Sequence, residues 1–476
     1  MTAELFKYSV VITYVFAIYG LSWIGMKRTR SVASFSIGNK DMHPVLIGIT
    51  LAASISSTAT FVINPGFVYV HGLSAFLHYG VAGSLGIFAA FLVLTRGFLR
   101  VGEAHQALTI PQWIYYRYNH RGFSLFFAFL NLLSITFVVL ILVGCSYLVT
   151  GLFGLDQKVA LVGVLVFVFS YVLMGGTYAH AYTNTVQGVM MIFVTVFLVL
   201  SGWQYFDGDI SGALARISTD YAAAFNPSSS LYFDIFSVFI SGFVVTFALM
   251  MQPHILTKVL YLRSEKDIGL FIGTTVGVGA IFMLMLLVGF YARLAGLDID
   301  AQDTVVREYL LFQFSGSLWG ELALTFIFIT LLAAGMSTLD GILVSLSAMV
   351  VTDIAKPLVS DRIDALALSR WVLVGVGILG LVIAWNPPPI IGLFAQKGVY
   401  GLAAASVVPV VFGVLVRRHV PLGVVFASAI TGIVLHLLLN LLLGVSNPAV
   451  SAAWGIIGSF LVGTVGLLMF SRPAEA

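Results

Sequence analysis

Five hydroxyls crowd one short stretch of an otherwise apolar chain: Ser54, Ser56, Ser57, Thr58 and Thr60, within LAASISSTATFVINPG, Leu51 to Gly66. Ser56 and Thr60 share one helix face at four-residue spacing, and Ser54 and Ser57 share another at three. In hydrocarbon an unpaired hydroxyl is costly, so such groups pair with backbone, water or cargo. Bonding back to the preceding helical turn accounts for any one of them alone. A second cluster gives the set another use. In LLAAGMSTLDGILVSLSAMVVTDIAKP, residues 331–357, Ser337 and Thr338 are adjacent and Asp340 follows. Hydroxyls, joined by carbonyls freed at a helix break, offer several oxygens without a full charge, which suits a hard monovalent cation.

One further ionisable group stands out. Lys397, in GLFAQKGVYGLAAAS, falls about 12 Å into a helix that starts near Pro389. Three partners fit a lysine at that depth: a substrate carboxylate, the Asp340 side chain, or the interface reached by snorkelling. Asn184, in YTNTVQ, supplies dipoles without charge. His78 and His180, the latter read as lying in an inner loop, are lone candidates for proton handling, and no metal-ligand constellation is evident. His254, beside Pro253, reads as structural.

These residues sit in a chain built for lipid. It is 60% hydrophobic and 9% charged, with a mean hydropathy of +1.04, whereas soluble domains carry about 25% charged residues. Apolar runs of about 20 residues recur, each able to span a bilayer core. Thirteen helices are expected, roughly at 5–26, 43–65, 74–99, 122–151, 158–175, 185–206, 233–258, 267–294, 316–352, 369–386, 390–416, 420–444 and 450–470. The first ends in Lys27, Arg28 and Arg30 and lacks a small-residue cleavage site, so it reads as a retained helix. The whole chain, 1–476, reads as one all-α transmembrane domain. The single cysteine, Cys145, excludes an intramolecular disulfide.

Basic residues gather on one side of this arrangement. Lys27, Arg28, Lys40, Arg96, Arg100, Lys258, Arg263, Arg362, Arg417, Arg418 and Arg472 all fall there, with Lys7, Lys158, Arg216, Arg293 and Arg307 opposite. Cytoplasmic loops collect Lys and Arg, so the amino terminus is expected outside and the carboxyl terminus inside a plasma or inner membrane. The second helix carries Pro65-Gly66 and the seventh Pro253, in opposite orientations. Paired interruptions of this kind point to an inverted-repeat transporter.

The blocks FSIGNKDMHP, LTIPQWIYYRY (108–118), GGTYAHAYTNTVQGVMM (175–191), MQPHILTK (251–258) and AAGMSTLD, in this order, are similar to those of the sodium:solute symporter family. Proline, pantothenate, monocarboxylate and sugar symporters belong to it. The resemblance implies a leucine-transporter-type fold with a 5+5 inverted repeat in helices 2–11, the core repeats covering about 43–206 and 233–416. It implies a sodium site made by the carbonyls of Ala53 and Ser56, counted back from Pro65-Gly66, with the Ala334 carbonyl and the Ser337 and Thr338 hydroxyls. Ile55 stands where proline transporters carry Asp, and Asn184 where some members carry the Asp linked to a second sodium. One sodium per cycle is therefore expected. Phe137, Val245 and Leu249 occupy positions tied to proline recognition.

The function expected is sodium-coupled uptake of a small solute by alternating access, with a small monocarboxylate favoured as substrate. An amino-acid (proline-like) or pantothenate symporter is the alternative, and a membrane sensor built on a transporter fold is the alternative of another class. The lack of a signalling domain after Ala476 disfavours the sensor. Substrate contacts are expected from Ser57, Thr60, Thr246, Gln396 and Lys397, with Asn184 and Asp340 in coupling. Sodium is the coupling ion, lipid the surrounding partner, and neither an organic cofactor, nucleic acid nor an enzymatic motif is expected.

Overall fold

The computed structural model describes residues 3–37, 40–356, 364–416 and 419–470. Arg362, Arg417, Arg418 and Arg472 lie outside the described residues. Among the described residues eleven helices are long and apolar enough to cross a membrane, and two bent pairs bring the number to 13. In order these are α1 (Glu4–Arg28), α2 (Pro44–Ile55 and Ala59–His71), α3 (Leu73–His105), α4 (Arg121–Phe153), α5 (Gln157–Met174), α6 (Gly176–Phe206) and α7 (Phe236–Leu249 and Pro253–Tyr261). They continue as α8 (Glu265–Leu294), α9 (Leu318–Ala355), α10 (Ala365–Ala384), α11 (Ile391–Leu415), α12 (Leu422–Leu442) and α13 (Pro448–Phe470).

The two bent helices define the architecture. The first half of α2 packs on α8, and the first half of α7 packs on α3. Each five-helix group thus lends its first helix to the second helix of the other, while the third helices, α4 and α9, pack together. α9 and α11 run through the middle, with 78% and 83% of their apolar stretches buried, against 17% for α1. A core helix of a membrane protein is apolar all round, and small or hydroxylated residues let its neighbours approach. Gly335 on α9 illustrates this: a Cβ there would overlap Cys145 Sγ and Thr58 Oγ1.

The break in α2 lies at residues 56–58, with a bend of 53°. It does not lie at Pro65-Gly66, from which the sequence expectation counted. The serines make the break. Ser56 N donates to Ala52 O at 3.0 Å and Ser57 N to Ile55 O at 3.1 Å, ending the first half. Ser57 Oγ then accepts from Ala59 N at 3.0 Å, opening the second. Pro65 follows a π-turn at Ala59–Ile63, which leaves no amide need at the proline. Gly66 allows close approach of the Gln302 backbone, which a Cβ would overlap. In α7 the bend is 66°; Pro253 begins the second half, where its missing N–H is not needed.

α5 and α6 are separated by a kink at Gly176, φ 51°. The sixth helix therefore begins well before residue 185, and His180 lies inside it, not in a loop. On the side of the α3 amino terminus, the polar segment 207–232 folds back over the bundle: Leu73 N donates to Tyr221 O at 2.9 Å and Asn226 Nδ2 to His71 O at 2.9 Å. Nearby, Asp303 Oδ2 accepts the Ile391 N–H at 2.8 Å and so caps α11. Burial pushes the Asp303 carboxyl up to about 6, against the opposing effect of that amide.

Candidate functional site

At the α2 break the backbone turns its oxygens toward α9. Ser337 Oγ is 3.0 Å from Ala53 O and 2.8 Å from Ala334 O. Thr338 Oγ1 donates to Ser54 O at 2.8 Å. Ala53, Ala334, Ser337 and Thr338 are thus brought together, as the resemblance implied. Thr338 meets the carbonyl of Ser54, and no hydrogen bond joins Ser56 to Ser337 or Thr338 among the described residues. The Ser56 side chain lines a small cavity of about 40 Å³ between α2, α3 and α8, and its Oγ has no partner among the described residues.

Asn184, from α6, closes the knot. Its Nδ2 donates to Ser337 O at 2.9 Å and to Ser54 Oγ at 3.1 Å, and Ser54 Oγ lies 3.3 Å from Ser337 O. Its Oδ1 is buried and unpartnered among the described residues. The set consists of neutral carbonyl, hydroxyl and amide groups from three helices. That donor chemistry fits a hard monovalent cation.

Asp340, three residues beyond Ser337, faces away from this set. Its Oδ1 pairs with His180 Nδ1 at 2.7 Å and its Oδ2 lies 3.4 Å from Tyr171 OH, all three residues being buried. Asp353 is a structural acid: it accepts from Thr109 Oγ1 at 2.7 Å, and Thr109 caps the short helix Ile110–Tyr118.

Beside the break lies a cavity of about 110 Å³ whose walls come from both halves of the bundle. Ser57, Thr60, Thr246 and Gln396 line it, together with Ser54, Asn64, Tyr79, Gln252, His254 and Tyr400. Ile87, Phe137, Leu140, Leu249 and Met283 form its apolar wall. Val245, one of the three positions tied to proline recognition, does not line it. Gln396 Nε2 donates to Tyr79 OH at 3.1 Å, and Tyr79 OH is 2.8 Å from Tyr232 OH. Phe67, His71 and His78 pack against these two tyrosines in tilted and edge-to-face contacts.

Lys397 does not line the cavity. It is exposed on α11, and its carbonyl accepts from His436 Nε2 of α12 at 3.0 Å. One residue is about 100° of helix, so Gln396 facing the cavity turns Lys397 to the outside. Of the three partners considered, this placement fits snorkelling. Among the described residues the buried lysine is Lys258, which the sequence reading had counted on the basic side at the end of the seventh helix. It is 1% exposed, in the second half of α7, and its Nζ donates to Ser54 Oγ and to Thr50 O at 3.2 Å. The block MQPHILTK, in which Pro253 breaks a membrane-spanning helix, was the signal that could have found it.

A sodium/pantothenate symporter of Haemophilus influenzae is 25% identical over 95% of this chain and 94% of its own length. A high-affinity proline transporter of Bacillus subtilis is 26% identical over 77% of this chain and 78% of its own. The solved structure of a Na+-coupled sialic acid symporter in a substrate-bound outward-open state superposes with a TM-score of 0.78. It covers 99% of both chains at 17% identity, which shows that the leucine-transporter-type fold is shared. The sodium:solute symporter family matches over residues 35–432. The chain is a multi-pass membrane transporter, not an enzyme, and it belongs to the sodium:solute symporter family of sodium-coupled transporters.

Proposed function

We propose that this chain, as one transport domain, carries a small organic carboxylate inward together with sodium. The observation that carries the reading is the meeting of Ser337 and Thr338 with the carbonyls of Ala53, Ala334 and Ser54 at the α2 break. Sodium held there ties α9 to α2, and α2 also forms one wall of the substrate cavity through Ser57 and Thr60. Filling the ion site therefore fixes that wall, and filling the cavity fixes the ion's ligands. The coupling is reciprocal by linkage. The basic asymmetry supports an amino terminus outside and a carboxyl terminus in the cytoplasm.

The lining supports a solute that combines a polar, multiply hydrogen-bonding part with an apolar part. No lysine, arginine or carboxylate side chain lines the cavity among the described residues, so a carboxylate is held by neutral donors: Ser57, Thr60, Thr246, Gln396 and the start of the second half of α2. Amino ends of half-helices favour anionic groups. Pantothenate and proline, named for the relatives, are the first compounds to test, ahead of simpler monocarboxylates. Asn184 in place of a carboxylate supports one sodium per cycle. A thermal-shift panel of these compounds on the purified protein, with sodium or with potassium, tests the reading. A ligand that stabilises only with sodium supports it. Stabilisation indifferent to sodium across the whole panel would overturn it.

A further inference from the structure

At the break of α7 two buried polar side chains reach the cavity without a protein partner. Gln252 and His254 both line it and are 3% and 2% exposed. Gln252 Oε1 and His254 Nδ1 have no hydrogen-bond partner among the described residues. Gln252 stands at the entry to the second half of α7, where a side chain commonly turns back to cap the helix, yet it makes no such bond. Its backbone is fully used. Gln252 N donates to Leu249 O at 3.1 Å, and Gln252 O accepts from Ile255 N at 3.0 Å and from Leu256 N at 2.9 Å. Folding of the break therefore leaves the side-chain amide unspent, on the cavity wall.

A buried acceptor with no donor is costly, and a ligand that supplies the donor recovers that cost. The two groups narrow what the ligand carries. Gln252 Oε1 only accepts, and a histidine ring nitrogen donates or accepts according to its tautomer. A hydroxyl or an amide satisfies both, because each has a proton to give and a lone pair to offer. A plain alkyl chain satisfies neither. An ammonium can donate to Gln252, but no Asp or Glu side chain lines the cavity among the described residues. A buried ammonium without a carboxylate partner is costly.

We propose that Gln252 and His254 form a second polar subsite, selecting a carboxylate that also bears a neutral hydroxyl or amide donor, over plain monocarboxylates and over amino acids. This inference rests on the reading of the cavity as the substrate site, and it names the class of carboxylate taken there. The carboxylate is held from α2, at Ser57 and Thr60, and the neutral donor is read from α7, at Gln252 and His254. These are the two broken helices, so only a solute with both groups ties one to the other. Ile55 and Ile87, also on the wall, accept the hydrocarbon part of such a solute.

The test is a thermal-shift titration of the purified full chain in saturating sodium with three probes. Pantothenate carries hydroxyls and an amide besides its carboxylate, proline carries an ammonium, and hexanoate carries the carboxylate alone. Pantothenate is expected to act at the lowest concentration. An unmet buried acceptor corresponds to a factor of about 5 to 150 in affinity, so hexanoate is expected to need that much more. Gln252→Leu is expected to weaken pantothenate by a similar factor and to leave hexanoate within about twofold, a change of ratio that a merely structural residue does not cause. His254→Asn, which keeps a polar atom near the Nδ1 position, is expected to retain the preference, and His254→Leu to reduce it. Hexanoate or proline acting as tightly as pantothenate on the parent overturns the proposal and leaves the sodium-coupled carboxylate reading standing. So does an equal loss of pantothenate and hexanoate in Gln252→Leu. No sodium-dependent shift of the parent with any of the three overturns that reading as well. The ranking on the parent decides the matter even where a variant fails to fold.

Discussion

Removing the two α9 hydroxyls separates the proposed ion site from the rest of the bundle. Ser337 Oγ lies 3.0 Å from Ala53 O and 2.8 Å from Ala334 O, and Thr338 Oγ1 lies 2.8 Å from Ser54 O. With sodium bound, each hydroxyl is a ligand to a charge, an interaction of about 1.5–3 kcal/mol. Without sodium, each makes a neutral hydrogen bond of about 1 kcal/mol, which its loss also removes. The difference, about 0.5–2 kcal/mol per hydroxyl, corresponds to a rise of roughly 2- to 30-fold in the sodium concentration for half-maximal effect. The double substitution Ser337→Ala with Thr338→Ala is expected to raise it by about tenfold or more, short of simple addition because the two share one network. Ser347→Ala is the control. It removes a buried hydroxyl from the same helix that donates at 2.9 Å to its own Val344 carbonyl, and the sodium requirement is expected to stay within about twofold. The assay is uptake at fixed substrate across a sodium series. An unchanged sodium requirement in the double variant, or an equal shift in Ser347→Ala, refutes the placement of the ion between α2 and α9.

Three other outcomes follow from the geometry. Gly335→Ala pushes a methyl into Cys145 Sγ and Thr58 Oγ1, an overpacking worth about 1–3 kcal/mol. A lower thermal midpoint is expected, and an unchanged one would show that α9 and α2 pack less closely than described. Lys397→Gln, on the outer face of α11, is expected to leave uptake within about twofold of the parent; a large rise in substrate KM would return Lys397 to the cavity. Asp303 has a folded-state carboxyl near 6, above its unfolded value, so the folded chain binds its proton more tightly. Its contribution is full in acid and is lost as pH rises through about 6. Asp303→Asn is expected to flatten that fall in thermal midpoint while keeping the α11 cap, and an unaltered pH profile would count against it.

The helices and their pairing were legible because lipid demands long apolar segments, and the hydroxyl pairs stood out against them. Ser337 and Thr338 were found this way, and α2 was marked as the broken partner. The location of the break was not legible. Pro65 and Gly66 are the obvious interrupting residues, yet a π-turn absorbs the proline and the glycine serves packing against Gln302. The chain opens instead at Ser56–Thr58, where side-chain capping by Ser57 replaces helical bonds. Placement around a helix was the other blind spot. Lys397 and Lys258 look alike in a string of letters, but one residue of rotation separates Lys397 from the cavity-facing Gln396. The fold of α7 draws Lys258 inward to Ser54. His180 was misplaced for a related reason, since the kink at Gly176 lets helix resume nine residues earlier than residue 185.

Transport driven by sodium is the claim to which every residue assignment here is subordinate. In proteoliposomes carrying the purified protein, an inward sodium gradient is expected to accumulate labelled pantothenate or proline above its external concentration, and an equal potassium gradient is not. Accumulation that is the same with potassium as with sodium, or uptake that only equilibrates whichever cation is present, would contradict it.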